Sequence, residues 1–483
     1  MDDPRTSEPP ADVARHTHAS WFVRRLLNGR DWFDGRVVTA ADAGWDEART
    51  PWQLAVDQRP TAVVLAGSEH DVIATVRAAR ACFLRVAAQG TGHNANPLGP
   101  LGPLGDTVLL RTSGMRGIEI DAERRTARVQ AGVVWGEVSA AAAEVGLAGL
   151  AGSARDVGVV GYTLGGGLSW FARSHGLAAN HVVAADVVTA DGELRHVDED
   201  HDRDLFWAIR GGGGSFGVVT ALEFRLFPIT HVTAGAMFWP IEYASEVLQA
   251  WREWLPAVPD EITTVARLLR FPPLPEVPEP LRGRSFVVVE LASQLDEEAT
   301  DGHLVPLWKL DPEIETVRRI PVTELADLHM DPPGPVPATG DGVQLAELTR
   351  ETLDAYLSVT TAPDFTMLST EIRQFGGALT SGRGSGGAVS ELAGAAGVFS
   401  ADLTPDRDSV VAARAALDGL RAALAPWAAD STYLNFAERR PAVPVFPAQA
   451  YQRLREIKTA VDPDDVIRAN HPVPPLTRQW GRS

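Results

Sequence analysis

Residues Leu84 to Asn94 read LRVAAQGTGHN, and the fold turns on what that stretch can be. A short apolar run, Leu84 to Ala88, ends in a turn, Gln89 to Gly92, and His93 follows at once. A strand ending in Gly-Thr-Gly leaves bare backbone N–H groups at its tip, where they can approach a phosphate closely. Gly90-x-Gly92-x-x-Ala95 formally matches the dinucleotide fingerprint, which needs a strand before it and a helix after it. Here Asn96-Pro97-Leu98-Gly99-Pro100 cannot continue as a helix. A second match, Gly212-x-Gly214-x-x-Gly217, has the order reversed, with helical Asp204 to Arg210 before it and strand-like Val218 to Leu226 after it. Both fail as a Rossmann site. Several loops converging on one extended cofactor would still give these glycines a job.

Working outward, Thr61 to Gly67 reads as a strand, and Ser68 with Asp71 forms a capping box for the next helix. Val72, Ile73, Val76 and Ala79 give that helix one apolar face. Residues 61–93 are thus a β-α-β unit. Thr107 to Leu110, Gly117 to Asp121 and Thr126 to Ala131 look like strands, and Trp135 to Glu144 is helical. Residues 146–180 are too glycine-rich for a helix and too apolar for a solvated linker. Such a run either wraps a ligand or makes tight turns between strands. Val182 to Ala190 and Leu194 to Val197 form a hairpin about Asp191-Gly192.

The pattern changes after Pro228. Strand-like Ala234 to Phe238, Thr263 to Leu269, Arg284 to Ala292 and Phe365 to Phe375 alternate with helical Ala244 to Trp254 and Asp296 to Leu310. A strand end and a helix share Ser400 to Ala425. This mixture predicts an antiparallel sheet with helices on one face. Pro- and Gly-rich loops fill 271–280, 331–342 and 381–388. The expected organisation is α+β: a lead over 1–60 (loose to Ser20), a first domain over 61–228, an inserted domain over 229–430, and a tail over 431–483 that rejoins the first.

The net charge is −19, with 44 Lys+Arg against 63 Asp+Glu. No basic footprint for nucleic acid or an anionic membrane stands out. The single cysteine, Cys82, allows no internal disulfide and no cysteine metal cluster, and no metal site is expected. The polar, acidic start lacks the features of a signal peptide, and no run is long enough to span a membrane. The expectation is a cytoplasmic, soluble protein. Oligomeric state is not readable.

Five stretches in order, QGTGHN (89–94), DVGVVGYTLGGGLSW (156–170), HGLAAN (175–180), DLFWAIRGGGGSFGVVT (204–220) and YLNF with DPDDVIRANH (433–436, 462–471), resemble the berberine-bridge-enzyme-like FAD-linked oxidases. These share the vanillyl-alcohol-oxidase, or PCMH-type, flavin fold. The likeness covers about 61–228 and 432–475. It implies FAD, joined covalently at its 8α position to His93. It places the turn Gln89, Gly90, Thr91 and Gly92 at the pyrophosphate. Ser153, Val157, Gly158, Gly161, Tyr162 and Thr163 would line the flavin, Val219 would lie at the adenine side, Asn470 and His471 would form the closing tail, and Asn94 and Gly217 would be further cofactor contacts.

Two departures matter. Many relatives carry a second link from a cysteine in Cys-Pro-x-Val-Gly; here that place reads Ala154-Arg155-Asp156-Val157-Gly158, so one link is expected. The Tyr-x-Asn-Tyr motif, whose second tyrosine often serves as base, reads Tyr433-Leu434-Asn435-Phe436. Phe436 cannot take a proton. Tyr162 could instead hydrogen-bond the reduced ring, or act as base if its pKa fell by about 3 units. Glu371 is the easier base, because period-2 alternation puts Ser369, Glu371 and Arg373 on one strand face, and partial burial would raise its pKa. A plain Glu–Arg pair is the rival reading. Arg373, Asn435 and Phe436 are the expected substrate contacts. The expected activity is hydride removal from an alcohol, sugar or secondary metabolite, with O2 reduced to H2O2, as a biosynthetic tailoring step. Alternatives are a mono-oxygenase acting on a polyketide-like substrate, a silent flavin carrier, and a sugar-binding module without flavin.

Overall fold

The computed structural model describes residues 11–29, 32–97, 104–382, 386–439, 441 and 444–476. Three sheets organise them. In the first, Ala62–Leu65, Thr107–Arg111 and Arg85–Gln89 run parallel in that order, and Arg36–Val38 pairs antiparallel with Ala62–Leu65. The helix Glu69–Ala81 crosses between the first two of these in sequence. Ser68 caps it, and the expected capping box with Asp71 is present. Asp71 also accepts from the backbone N–H of Asp34 and Gly35, both at 2.9 Å, and so ties the lead to this unit. The stretch expected to be loose, to Ser20, is helical from Ala11 onward (Ala11–Leu27), and Phe22 and Leu26 later in that helix pack into the first core.

The second sheet is antiparallel, in the order Ile118–Asp121, Thr126–Gln130, Val218–Arg225, Val182–Val188, Leu194–Asp198. The hairpin expected about Asp191-Gly192 joins its last two strands, with Gly192 at φ +78°.

The third sheet has eight strands, all drawn from residues 231–403. Its central run is His231–Pro240, Ser285–Ser293, Ile262–Arg270, Ser369–Gln374, Ala396–Leu403 and Ala338–Leu345, each antiparallel to the next. The last of these corrects an expectation. Residues 331–342 read as a loop from their Pro and Gly content, yet Ala338–Leu345 is an edge strand. Gly340 and Gly342 are needed there because a Cβ at either would press on Glu438 or Phe436. Two short strands, Ile314–Glu315 and Arg318–Pro321, were also missed. The loop expected at 381–388 lies partly outside the described residues.

Helices Ala244–Trp254, Arg350–Thr360 and Arg407–Leu424 share a core with Ile262, Ala266, Leu268, Ile372 and Val398 on one face of this sheet. Period-2 alternation turns Val265, Arg267, Glu290, Glu371 and Arg373 to the opposite face. That face meets the glycine-rich run: Leu150, Trp170, Phe171 and Ala178 pack with Val265 and Ala292. The site is made where these layers meet.

Candidate flavin and substrate site

The strand Arg85–Gln89 delivers its turn as expected. Gly92 sits at φ +86°, and a Cβ there would lie 2.6 Å from Pro51 Cβ, so only glycine fits. The segment beneath grips the turn, with Trp52 N donating to Thr91 O (3.0 Å) and Gln53 N to Gly92 O (3.3 Å). His93 is half-buried at the rim and stacks on Trp52, with ring centroids 3.9 Å apart and planes 19° apart. Its Nε2 lies 3.1 Å from Asp156 Oδ1. Trp52 Nε1 donates to Asp156 Oδ2 (2.5 Å).

Across from the turn runs 151–158, half-exposed in an otherwise buried stretch. A Cβ on Gly158 would sit 3.7 Å from Thr91, so the two segments are in near contact. Gly158 caps the short helix Val159–Leu164. Gly161 on that helix is exposed, with nothing within 4 Å of where a Cβ would be. Thr163 is spent inside the helix, its hydroxyl donating to Val159 O (2.7 Å), and Val157 packs on the core. Ser153 Oγ donates to Asp331 Oδ2 (3.0 Å), which ties the run to the third sheet's loops. Gly217 is explained by packing, because a Cβ would lie 2.5 Å from Val187 Cγ1, and the Val219 side chain is buried in the same core.

The tail closes on this groove. Val86 N donates to Val466 O and Arg468 N to Val86 O, both at 2.8 Å, so the tail runs beside the strand that carries the turn. Asn470 Nδ2 donates to Asn94 O (3.4 Å). The His471 ring pairs with Ala437 O (2.9 Å), and burial lowers its pKa. Asn435 Nδ2 donates to Tyr162 O (2.9 Å) and Tyr433 OH (3.1 Å), and its amide rests on Gly165. Asn435 is thus a bracket between tail and groove.

The residues fit FAD. Gln89 Oε1 and Asn94 Oδ1 are buried atoms of one turn that lack a hydrogen-bond partner. Gly161 leaves open the space a flat ring would need. Backbone N–H groups of the Gly90–Gly92 turn suit a pyrophosphate.

Both expected bases need correction. Glu371 is buried, but its carboxyl is not raised. Burial pushes its pKa up, while Arg373 and His329 outweigh that and hold it well below the usual carboxylate range. Arg373 Nε donates to Glu371 Oε1 (2.6 Å), and His329 Nε2 lies 2.8 Å from Oε2. His329 Nδ1 in turn meets Glu290 Oε2 (2.6 Å), and Arg267 pairs with Glu290 Oε1 (2.7 Å). The Glu–Arg pair exists, but inside a buried ionic network rather than on a surface. Tyr162 fails for another reason: its hydroxyl donates to Leu150 O (3.0 Å), and burial drives its pKa well up. Burial does the same to Tyr433.

Arg373 sits beside Phe436, another of the expected substrate contacts. Its guanidinium lies 5.6 Å from the Phe436 ring, which packs against Tyr433 and Phe399. The reading from sequence missed Trp52, Arg267, Glu290, His329 and Glu438. Glu438 Oε2 accepts from Asn96 Nδ2 (2.8 Å) and Gly340 N (3.0 Å), and burial, helped by Asp341, pushes its pKa up to about 7. Asp156 did give a signal, as an acid within an apolar glycine-rich run.

Two family models match the chain: an FAD binding domain over residues 60–198, and a berberine and berberine-like segment over 432–474. These are the two stretches that wall the groove. The chain carries both the FAD-binding domain and the berberine-like segment found in berberine-bridge-like FAD-linked oxidoreductases. An uncharacterised FAD-linked oxidoreductase, YgaK, of Bacillus subtilis is 28% identical over 92% of this chain and 98% of its own. The (R)-6-hydroxynicotine oxidase of Paenarthrobacter nicotinovorans is 35% identical, over 42% of this chain and 44% of that relative. The solved 6-hydroxy-D-nicotine oxidase of Arthrobacter nicotinovorans has the same fold, with a TM-score of 0.78 at 23% identity over 92% of this chain and 98% of that one. The oxidoreductase therefore binds FAD in a PCMH-type fold. Among its described residues no helix is long and apolar enough to cross a membrane.

Proposed function

We propose that the oxidoreductase is an oxidase that holds FAD by one covalent bond from His93 and removes hydride from a small organic substrate lying between Arg373 and Phe436. The observation that carries this is His93 itself. It is pinned by Trp52 at the rim of the turn, facing the half-exposed run 151–158. Bound FAD supplies the two-electron acceptor, and O2 returns it to the oxidised form with release of H2O2.

This chain's residues do the rest. The turn orients the cofactor, the 434–438 and 466–471 segments cover it, and Arg373 offers charge-assisted hydrogen bonds to a polar substrate group. Glu371, ionised and doubly held, keeps the guanidinium in place. Neither Tyr162, Tyr433 nor Phe436 takes a proton near neutral pH. The site thus favours substrates that release hydride without first losing a tightly held proton, such as a free amine or an already ionised enol or phenol. A simple alcohol or sugar fits less well. The setting we propose is a cytoplasmic tailoring step in small-molecule biosynthesis.

The test has two parts. Intact mass after acid denaturation should show one added FAD in the wild type and none in His93→Ala. Peroxide release should then be screened over amines, phenols, enols, alcohols and sugars. Unmodified wild-type mass removes the tether; no peroxide with any class removes the oxidase. The absent tyrosine at 436 also favours a second reading, oxygen insertion into a polyketide-like substrate. Oxygen-18 in the product separates the two.

A further inference from the structure

We infer that Asp156 is the positioning residue that readies His93 for its covalent bond, by holding the imidazole proton on Nε2 and leaving the Nδ1 lone pair to form the link. This rests on the His93 tether proposed above.

Three contacts carry it. Asp156 Oδ1 lies 3.1 Å from His93 Nε2. Asp156 Oδ2 accepts from Trp52 Nε1 at 2.5 Å, which fixes the carboxylate. The Trp52 ring, stacked on His93 at 3.9 Å, fixes the imidazole plane. One tryptophan thus orients both partners of the His–Asp pair. The Nε2 contact is bent, and Nε2 has no better-aligned acceptor. The carboxylate is available for this work: burial raises its pKa, but His93 and Trp52 outweigh burial and keep it below the ordinary value. The adjacent cation does not compete, because Arg155 is paired with Asp327. A carboxylate on one ring nitrogen selects the tautomer and raises the basicity of the other.

The step balances as follows. The Nδ1–C8α bond forms and one C8α–H bond breaks. Imidazole and C8α each release a proton, the imidazole's from Nε2 beside Asp156. The two electrons left on the cofactor pass to O2, which leaves as H2O2.

Apoprotein of the full chain, mixed with FAD in air, provides the test. Acid-stable mass is followed with time, dissociable FAD binding by fluorescence quenching, and folding by melting temperature. In Asp156→Asn, FAD affinity and melting temperature should match the wild type while tethering slows by roughly 30-fold or more. The wild-type link should be wholly through Nδ1, read by NMR of the isolated histidyl-flavin. Asp156→Asn should give mixed Nδ1 and Nε2 links, which a merely structural role would not produce. Trp52→Phe keeps the stack, loses the N–H donor, and should slow tethering less. It serves as the test should Asp156→Asn fail to fold. Wild-type tethering rates in both variants, or an Nε2 link in the wild type, overturn the inference. A wild type that never gains the mass instead overturns the tether itself.

Discussion

His329 Nε2 lies 2.8 Å from Glu371 Oε2, on the face of the large sheet opposite its three long helices. With Nδ1 on Glu290, both ring nitrogens face carboxylates, which favours a proton on each, although Arg373 Nη2 also lies 3.2 Å from Nε2. Burial and Arg267 oppose the charge, but Glu290, Glu371 and Asp331 outweigh them and raise the His329 pKa to about 9.

A group raised above its unfolded value stabilises the fold fully below the unfolded pKa, about 6.5. That stability fades as pH rises through the folded pKa. The oxidoreductase should therefore lose stability between about pH 6.5 and 9, on the order of 3 kcal/mol from this residue. Urea unfolding at pH 7 and pH 9.5 measures the loss. His329→Gln should start less stable and show a much flatter profile; an equally steep one would place the titration elsewhere.

Glu438 works in the opposite chemical sense. Its carboxyl is raised to about 7, so folding favours the protonated acid. Stability from this group is present below about pH 4.5 and is lost as pH climbs to 7. A glutamine keeps an oxygen for Asn96 and Gly340. Glu438→Gln should thus stabilise the protein at pH 8 by about 1–2 kcal/mol, discounted for partial exposure, and change little at pH 4.5. Denaturant midpoints at the two pH values decide it.

Two glycines of one helical turn should respond oppositely to alanine. A Cβ on Gly165 would fall 1.8 Å from Asn435 Oδ1, displacing the bracket that ties the tail to the groove. Gly165→Ala should destabilise the apoprotein by about 2 kcal/mol or more. Gly161 has open space, and alanine there should raise helix stability by up to about 1 kcal/mol. If the flavin ring lies against it, FAD binding should weaken all the same. Apoprotein melting and flavin titration separate the two effects.

Lys458 is fully buried and donates to Ser215 O (2.8 Å), Ile467 O (3.0 Å) and Asp462 Oδ2 (2.5 Å). It staples the glycine loop to the tail. Lys458→Met leaves Asp462 as a buried charge without its cation and should cost about 3–5 kcal/mol. Adding Asp462→Asn should recover part of the loss, which a double-mutant cycle of unfolding free energies would show.

Sequence alone determined the family, the cofactor and the turn that carries His93. Those depend on local chemistry: a strand before Gly-Thr-Gly, a capping box at Ser68 and Asp71, and glycines where no Cβ fits. It also placed Glu371 and Arg373 on one strand face, because alternation has period 2 wherever a strand lies. It could not determine their charge state. The upward shift expected for Glu371 let burial outweigh its strand neighbour Arg373, and the second partner, His329, comes from a distant segment that only the fold brings to it. The edge strand Ala338–Leu345 was hidden for a similar reason. Its glycines look like loop residues until Phe436 and Glu438, nearly a hundred residues later, are seen packed on them. Only the tertiary structure joined Trp52, His93 and Asp156, since electrostatics depends on distance in space, and nothing in the spacing of those three residues encodes it.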